Sequence, residues 1–149
     1  MLRVMIDADV LFAGAASPSE QSASAVVLRL SEMTVIEGVA SMPVVTEAER
    51  NLAEKVPAAV EPMRALASAC LRVVPDPEPA EVVALDGLAH PKDLPILTAA
   101  VREACEVLVT LNERDFSPGH PDVEVMRPGV LVQRVRRSVA ALASRGGDE

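Results

Sequence analysis

Short apolar runs, each followed by a stretch with helical spacing, limit what this chain can become. Val4, Met5 and Ile6 stand at the centre of the first, within residues 2–7. A second candidate around 35–40 is interrupted by Glu37 and Gly38, "CLRVVP" covers 70–75, "EVLVT" covers 106–110, and "VEVM" (123–126) is a fifth. Runs of this length and composition read as buried strands. Between them, "SASAVVLRLSEM" (22–33) sets Val26, Val27, Leu30 and Met33 at helical spacing. "SMPVVTEAERNLAEK" (41–55) reads as a helix with Ser41 as its cap and Pro43 in its first turn. A further helix is expected over 57–69, short helical segments at 79–88 and 93–104, and a closing helix over 128–144. "PDPEP" (75–79) is a stiff turn rather than a linker, because apolar residues resume at once. No internal repeat or low-complexity segment interrupts the series. Strands alternating with helices predict an α/β fold with a mostly parallel sheet of 4–5 strands.

At 149 residues, the chain is expected to form one domain, 1–149, with a sizeable core. Half of the residues are apolar and 24% are charged, which argues against disorder. No apolar run is long enough to span a bilayer, and a strand beginning at residue 2 leaves no room for a signal peptide. A cytoplasmic protein is the expectation. Cys70 and Cys105 sit in apolar segments without a CxxC or a His/Cys cluster and read as buried free thiols.

The net charge of −8 would argue against a nucleic-acid partner, but its distribution is uneven. Residues 127–145 hold Arg127, Arg134, Arg136, Arg137 and Arg145 and no acid, so the acid excess falls on the body of the chain. Part of that excess could serve a cation. Phe12 and Phe116 are the only aromatic residues, which disfavours base stacking on aromatic platforms. Any bound nucleic acid would be held through its backbone, by arginines and metal ions.

In "RVMIDADVLFAG" (3–14), two carboxylates, Asp7 and Asp9, interrupt apolar character that belongs to a core. Parallel sheets bind ligands beyond the carboxyl ends of their strands, and Asp7 ends the first one. Other acids fall at comparable edges. Asp93 precedes the helix whose apolar stripe is Ile96, Leu97, Ala100, Val101 and Ala104, where a helix cap is the alternative role. "LVTLNERDF" (108–116) leaves the fourth strand with Asn112 and Asp115 three residues apart. Glu47 lies off the stripe of Val45, Ala48 and Leu52, whereas Glu49 falls nearer that face. Each position alone is ordinary.

Their order and spacing together resemble the PIN domain, the fold of many small metal-dependent ribonucleases. The resemblance runs from residue 2 to about 126. Asp7 in "IDADVLF" matches an acid ending the first strand; Ser41 and Glu47 match a Ser followed six residues later by a helical Glu. Asp93 before "ILTAA" matches a third acid, and Thr110, Asn112, Asp115 and Phe116 match a "T-x-N/D-x-x-D-F" ending. The resemblance implies a three-layer α/β/α fold and metal-dependent endoribonuclease activity. It implies Asp7, Glu47, Asp93 and Asp115 as catalytic residues, with Asp7, Asp93 and Asp115 on the metal and Asp9, Thr110 and Asn112 in support. Asp9 stands where the family usually has Asn or Ser, and Asn112 where many members have Asp, leaving the fourth ligand between Asn112 and Asp115. Hard oxygen donors without thiolates or paired histidines suit Mg²⁺ or Mn²⁺. His90 and His120 are isolated and read as structural or surface residues.

Arg134, Arg136 and Arg137 are candidates to guide an RNA backbone, or to line a homodimer contact or cover an acidic partner. Many small single-domain members of this family are toxins paired with an antitoxin protein, which the resemblance extends to this chain. Two other functions fit parts of the sequence. A haloacid-dehalogenase-type phosphatase also begins with "DxD" after a first strand, but needs a downstream lysine, and only Lys55 and Lys92 are present. A degenerate PIN domain serving as a binding module is the other, because fold does not guarantee activity.

Overall fold

The central element is β1 (Leu2–Ile6). In the computed structural model, which describes residues 1–17, 19 and 22–147, it pairs in parallel with β2 (Ile36–Ser41) and β4 (Val107–Val109). The outer strands are β3 (Leu71–Val74) beside β2 and β5 (Glu124–Met126) beside β4. The sheet is parallel throughout, in the order β3-β2-β1-β4-β5. Val4, Met5 and Ile6 are fully buried, which is why this strand is a continuous apolar run without alternation.

The helices among the described residues are α1 (Ala8–Ala16), α2 (Ala23–Glu32), α3 (Met42–Lys55), α4 (Val60–Cys70), α5 (Pro79–Ala84), α6 (Leu94–Arg102) and α7 (Pro128–Gly147). With the sheet they form a three-layer α/β/α fold. None is long and apolar enough to cross a membrane. Strand edges fall within two residues of those expected. One helix, α1, was not foreseen: Asp7 Oδ1 accepts the Ala8 amide at 2.8 Å, so the chain turns from β1 into a helix without a loop.

The apolar stripe expected on α2 is rotated. Ser24, Val27, Leu28 and Ser31 are its buried residues, while Met33 is 65% exposed. Ser31 faces inward because its hydroxyl accepts the Gly38 amide at 3.2 Å and donates to the Cys70 carbonyl at 2.8 Å, tying α2 to β2 and to the end of α4. A Cβ at Gly38 would stand 2.5 Å from Ser31 Oγ and 2.8 Å from Leu71 Cδ2, so no larger residue fits without displacement. The first turns of α7 dock through the fully buried Leu131, whereas side chains 136–146 are exposed. Both cysteines are free thiols; Cys105 is buried and Cys70 half-buried. Burial pushes the Cys105 thiol up to about 12, which leaves it inert.

From β1 the chain's strands are laid out in two directions, β2 and β3 to one side and β4 and β5 to the other. The crevice at the carboxyl ends of β1 and β4 is the switch point at which parallel sheets take ligands.

Candidate active site

Asp7 follows the last residue of β1, and its amide donates to the Val109 carbonyl at 3.1 Å, continuing the pairing with β4 by one step. Its carboxylate is thereby set at the switch point, 8% exposed. Oδ1 is held by the Ala8 amide, and Oδ2 accepts the Thr110 hydroxyl at 2.8 Å. Thr110 is fully buried, and its Oγ1 accepts the Asn112 amide at 3.0 Å. Its single hydroxyl proton therefore favours Asp7 over Asp9 Oδ2, which lies at 3.4 Å.

Asp9 occupies the first turn of α1 and reaches back to the same loop, where Oδ2 accepts the Leu111 amide at 3.1 Å. Its Oδ1 is buried and has no hydrogen-bond partner among the described residues. Such an atom is costly in a native fold unless something else satisfies it.

Asp93 stands at the N-cap position of α6 but does not cap it. Its backbone is helical (φ −101°, ψ −7°) rather than extended, and its side chain accepts no amide of the first turn. The capping role weighed from sequence is thus absent, and the carboxylate faces the cleft instead. Ser41 likewise takes the N-cap position of α3 without a side-chain cap hydrogen bond. Asn112 and Asp115 come from the 3₁₀ turn after β4, anchored by the buried Phe116. Asn112 Nδ2 donates to Asp115 Oδ2 at 2.6 Å, and the Asp115 carbonyl accepts the His90 amide at 2.7 Å, which joins this turn to the segment leading to Asp93. Glu47 projects from the second turn of α3, whereas Glu49 is ion-paired to Arg64.

Asp7, Asp9, Glu47, Asp93, Asn112 and Asp115 together line one cleft of about 150 Å³. Thr110 lies beneath it, bonded to Asp7. Arg134, Arg136 and Arg137 are not among its lining residues; Arg134 is ion-paired to Glu124 at 2.7 Å, and the other two are exposed on α7. Lys92 does line the cleft. From sequence it is weighed only as the lysine of a phosphatase, although its position next to Asp93 is the available signal.

The carboxylates perturb one another. Burial first, then the charge of Asp9, pushes Asp7 up to about 7 against the opposing pull of the Thr110 and Ala8 hydrogen bonds. Burial also raises Asp9, with the charge of Glu47 adding to it. Asp93 is raised by burial and by the neighbouring charge of Asp115. Among the described residues no three of these groups already converge as a metal cage. A small hard cation that keeps several waters does not require such a cage. An all-oxygen donor set and the orphaned Asp9 Oδ1 fit Mg²⁺ or Mn²⁺.

The PIN domain family model matches residues 3–114. No curated protein matches the chain. Among solved structures, VapBC2 from Rickettsia felis, bound to a promoter DNA fragment, superposes with a TM-score of 0.60 at 15% identity, covering 85% of this chain and 98% of that one. FitAcB from Neisseria gonorrhoeae gives a TM-score of 0.60 at 16% identity, covering 84% and 97%. VapC20 from Mycobacterium tuberculosis, a sarcin-ricin loop cleaving toxin, gives 0.50 at 14% identity, covering 70% and 86%. At these identities the structures share a fold, and the family match covers most of the sequence: this chain belongs to the PIN-domain family.

Proposed function

We propose that this protein is a divalent-metal-dependent endoribonuclease that hydrolyses phosphodiester bonds in RNA. The observation that carries this reading is the convergence of Asp7, Asp9, Glu47, Asp93 and Asp115 on one cleft at the sheet's switch point, with one buried carboxylate oxygen lacking a partner among the described residues. Asp7, Asp93 and Asp115 would hold Mg²⁺ or Mn²⁺, with Asn112 as a neutral oxygen donor. Such an ion supplies charge neutralisation, a water of lowered pKa and stabilisation of the developing phosphorane charge. The chain's own residues set the geometry. Thr110 and the Ala8 amide fix both oxygens of Asp7, so its orientation is set before substrate arrives. Glu47 lines the same cleft, suited to accept a hydrogen bond from the attacking water and align it. Lys92 offers a positive charge to the phosphate in an otherwise acidic cleft. Family membership leaves the phosphatase alternative without support.

Incubation of the purified protein with RNA or DNA, in Mg²⁺, Mn²⁺ or EDTA, tests the reading. RNA cleavage that needs the metal and is lost in Asp7→Asn and Asp93→Asn is the expected result. Binding of RNA without cleavage under any metal would favour the degenerate binding module instead, the reading that Asn112 keeps open. The resemblance to toxin structures supports a protein antitoxin as partner, and self-association as a homodimer is compatible with the exposed outer turns of α7. Co-purification with the product of an adjacent gene would test the first, and sedimentation the second. A single domain spanning 1–149 and a cytoplasmic location complete the proposal.

A further inference from the structure

A second hollow, of about 510 Å³, lies across Leu111 from the carboxylate cleft. The two share a wall: Leu111 lines the hollow, its amide donates to Asp9 Oδ2, and Asn112 next to it lines the cleft. Two helices begin at this hollow, α2 behind Ser22 and α7 behind Arg127. Ser22 takes the Ala25 amide on its hydroxyl and the Val26 amide on its carbonyl, and the Arg127 carbonyl takes those of Val130 and Leu131. The amides of Ala23, Ser24 and Gly129 have no acceptor among the described residues. All three residues line the hollow.

Helix starts alone are common and would carry little. Here Ser24 adds an independent observation: it is only 6% exposed, lines the hollow, and its hydroxyl has no partner among the described residues. Arg127 also lines the hollow and has no carboxylate partner among the described residues. Among the described residues no acid lines the hollow, in a chain of net charge −8. A Cβ at Gly129 would meet nothing within 4 Å, so the space before its amide is open. The lining is largely apolar, and set into it are donors, the starts of two helices, a hydroxyl and a guanidinium, the kind of groups that hold a tetrahedral oxyanion.

We propose that this hollow binds a phosphate of the nucleic-acid backbone, one that neighbours the phosphodiester held in the carboxylate cleft. The assignment of the strand rests on the ribonuclease reading; the anion chemistry does not. A cleft walled by Asp7, Asp9, Glu47, Asp93 and Asp115 repels a polyanion, and the donors of a pocket across Leu111 would hold the strand in register against that repulsion.

The test uses the full chain in EDTA, titrated with inorganic phosphate and followed by backbone amide NMR. The Ala23, Ser24 and Gly129 amides should shift together and saturate, while chloride at equal ionic strength leaves them in place. Arg127→Gln should weaken the phosphate affinity roughly fivefold or more. Gly129→Asp is the sharper variant: the open space admits the side chain, and a carboxylate in the first turn of α7 is favoured by the dipole. Its melting temperature should hold or rise while phosphate no longer shifts the amides. In a second arm, a short single-stranded RNA in EDTA should lose about one unit of salt slope in Arg127→Gln. Amides unmoved by phosphate, or moved equally in Gly129→Asp, would overturn the pocket; an unchanged RNA salt slope would overturn its role on the strand. If RNA is cleaved while phosphate leaves the amides unmoved, only this proposal fails. If phosphate binds as expected while no metal supports cleavage, only the ribonuclease reading fails.

Discussion

Replacing Asp7 by Asn removes a charge that the metal-free fold resists, and the gain can be sized. The folded-state carboxyl holds its proton up to about pH 7, against an ordinary value of 3.8. Below the ordinary value both states are protonated and Asp7 costs nothing. As pH rises from about 4 to 7 the unfolded chain releases the proton while the folded one is penalised for doing so, and native stability is lost across that window. Three units correspond to about 4 kcal/mol. Asn keeps the shape: its amide oxygen can accept the Ala8 amide, and its NH₂ can face Thr110 Oγ1, whose proton then turns to Asp9 Oδ2 at 3.4 Å. The longer bond returns part of the gain, so about 2–4 kcal/mol should remain at about pH 8. For a chain of this size that is a rise in Tm of roughly 5–15 °C in EDTA. The assay is thermal unfolding of wild type and Asp7→Asn at about pH 4.5 and about pH 8 in EDTA, then with Mg²⁺ or Mn²⁺ added. The difference should be small at the acid pH and large at the alkaline one, and metal should raise the wild type more than the variant. A gap independent of pH, or a variant melting below wild type at the alkaline pH, would refute the reasoning.

Three other predictions follow from the same structure. Thr110→Val should lower stability by about 1–3 kcal/mol in chemical denaturation, because it leaves Asp7 Oδ2 and the Asn112 amide without their shared partner, and should reduce metal-dependent cleavage. Gly38→Ala forces a Cβ against Ser31 Oγ and Leu71 Cδ2, and should cost about 1–3 kcal/mol by the same measurement, with Ser31→Ala in the same chain relieving part of it. The double variant Arg136→Gln, Arg137→Gln should leave Tm within about 1 °C, since both side chains are exposed, and should weaken RNA binding with a flatter salt dependence if they meet the backbone.

The inner strands β1 and β4 were legible because a sheet buried on both faces demands uninterrupted apolar runs, and "VMI" and "VLV" are runs of that kind. Carboxylates just beyond such runs were legible for the same reason, since a charge has no place in the core and every place at a strand's carboxyl end. Less could be read where side-chain roles depend on neighbours distant in sequence. The rotation of α2 follows from Ser31 bonding Gly38 and Cys70, a polar pairing that hydropathy cannot register. That α1 follows β1 without a loop was hidden because Asp7 serves both as its cap and as a cleft carboxylate.

By itself, then, the sequence determined the order of the strands, the parallel sheet and the set of acids at its edge, because these depend on local composition and spacing. Only the tertiary structure decided which charges are left unbalanced. Glu49 is neutralised by Arg64, brought in by α4, and Arg134 is spent on Glu124. Asp93 is freed from capping by a backbone angle, Lys92 lines the cleft, and Asp9 keeps one buried oxygen without a partner among the described residues. Electrostatic balance depends on distances in space, and the chain writes down only distances in sequence.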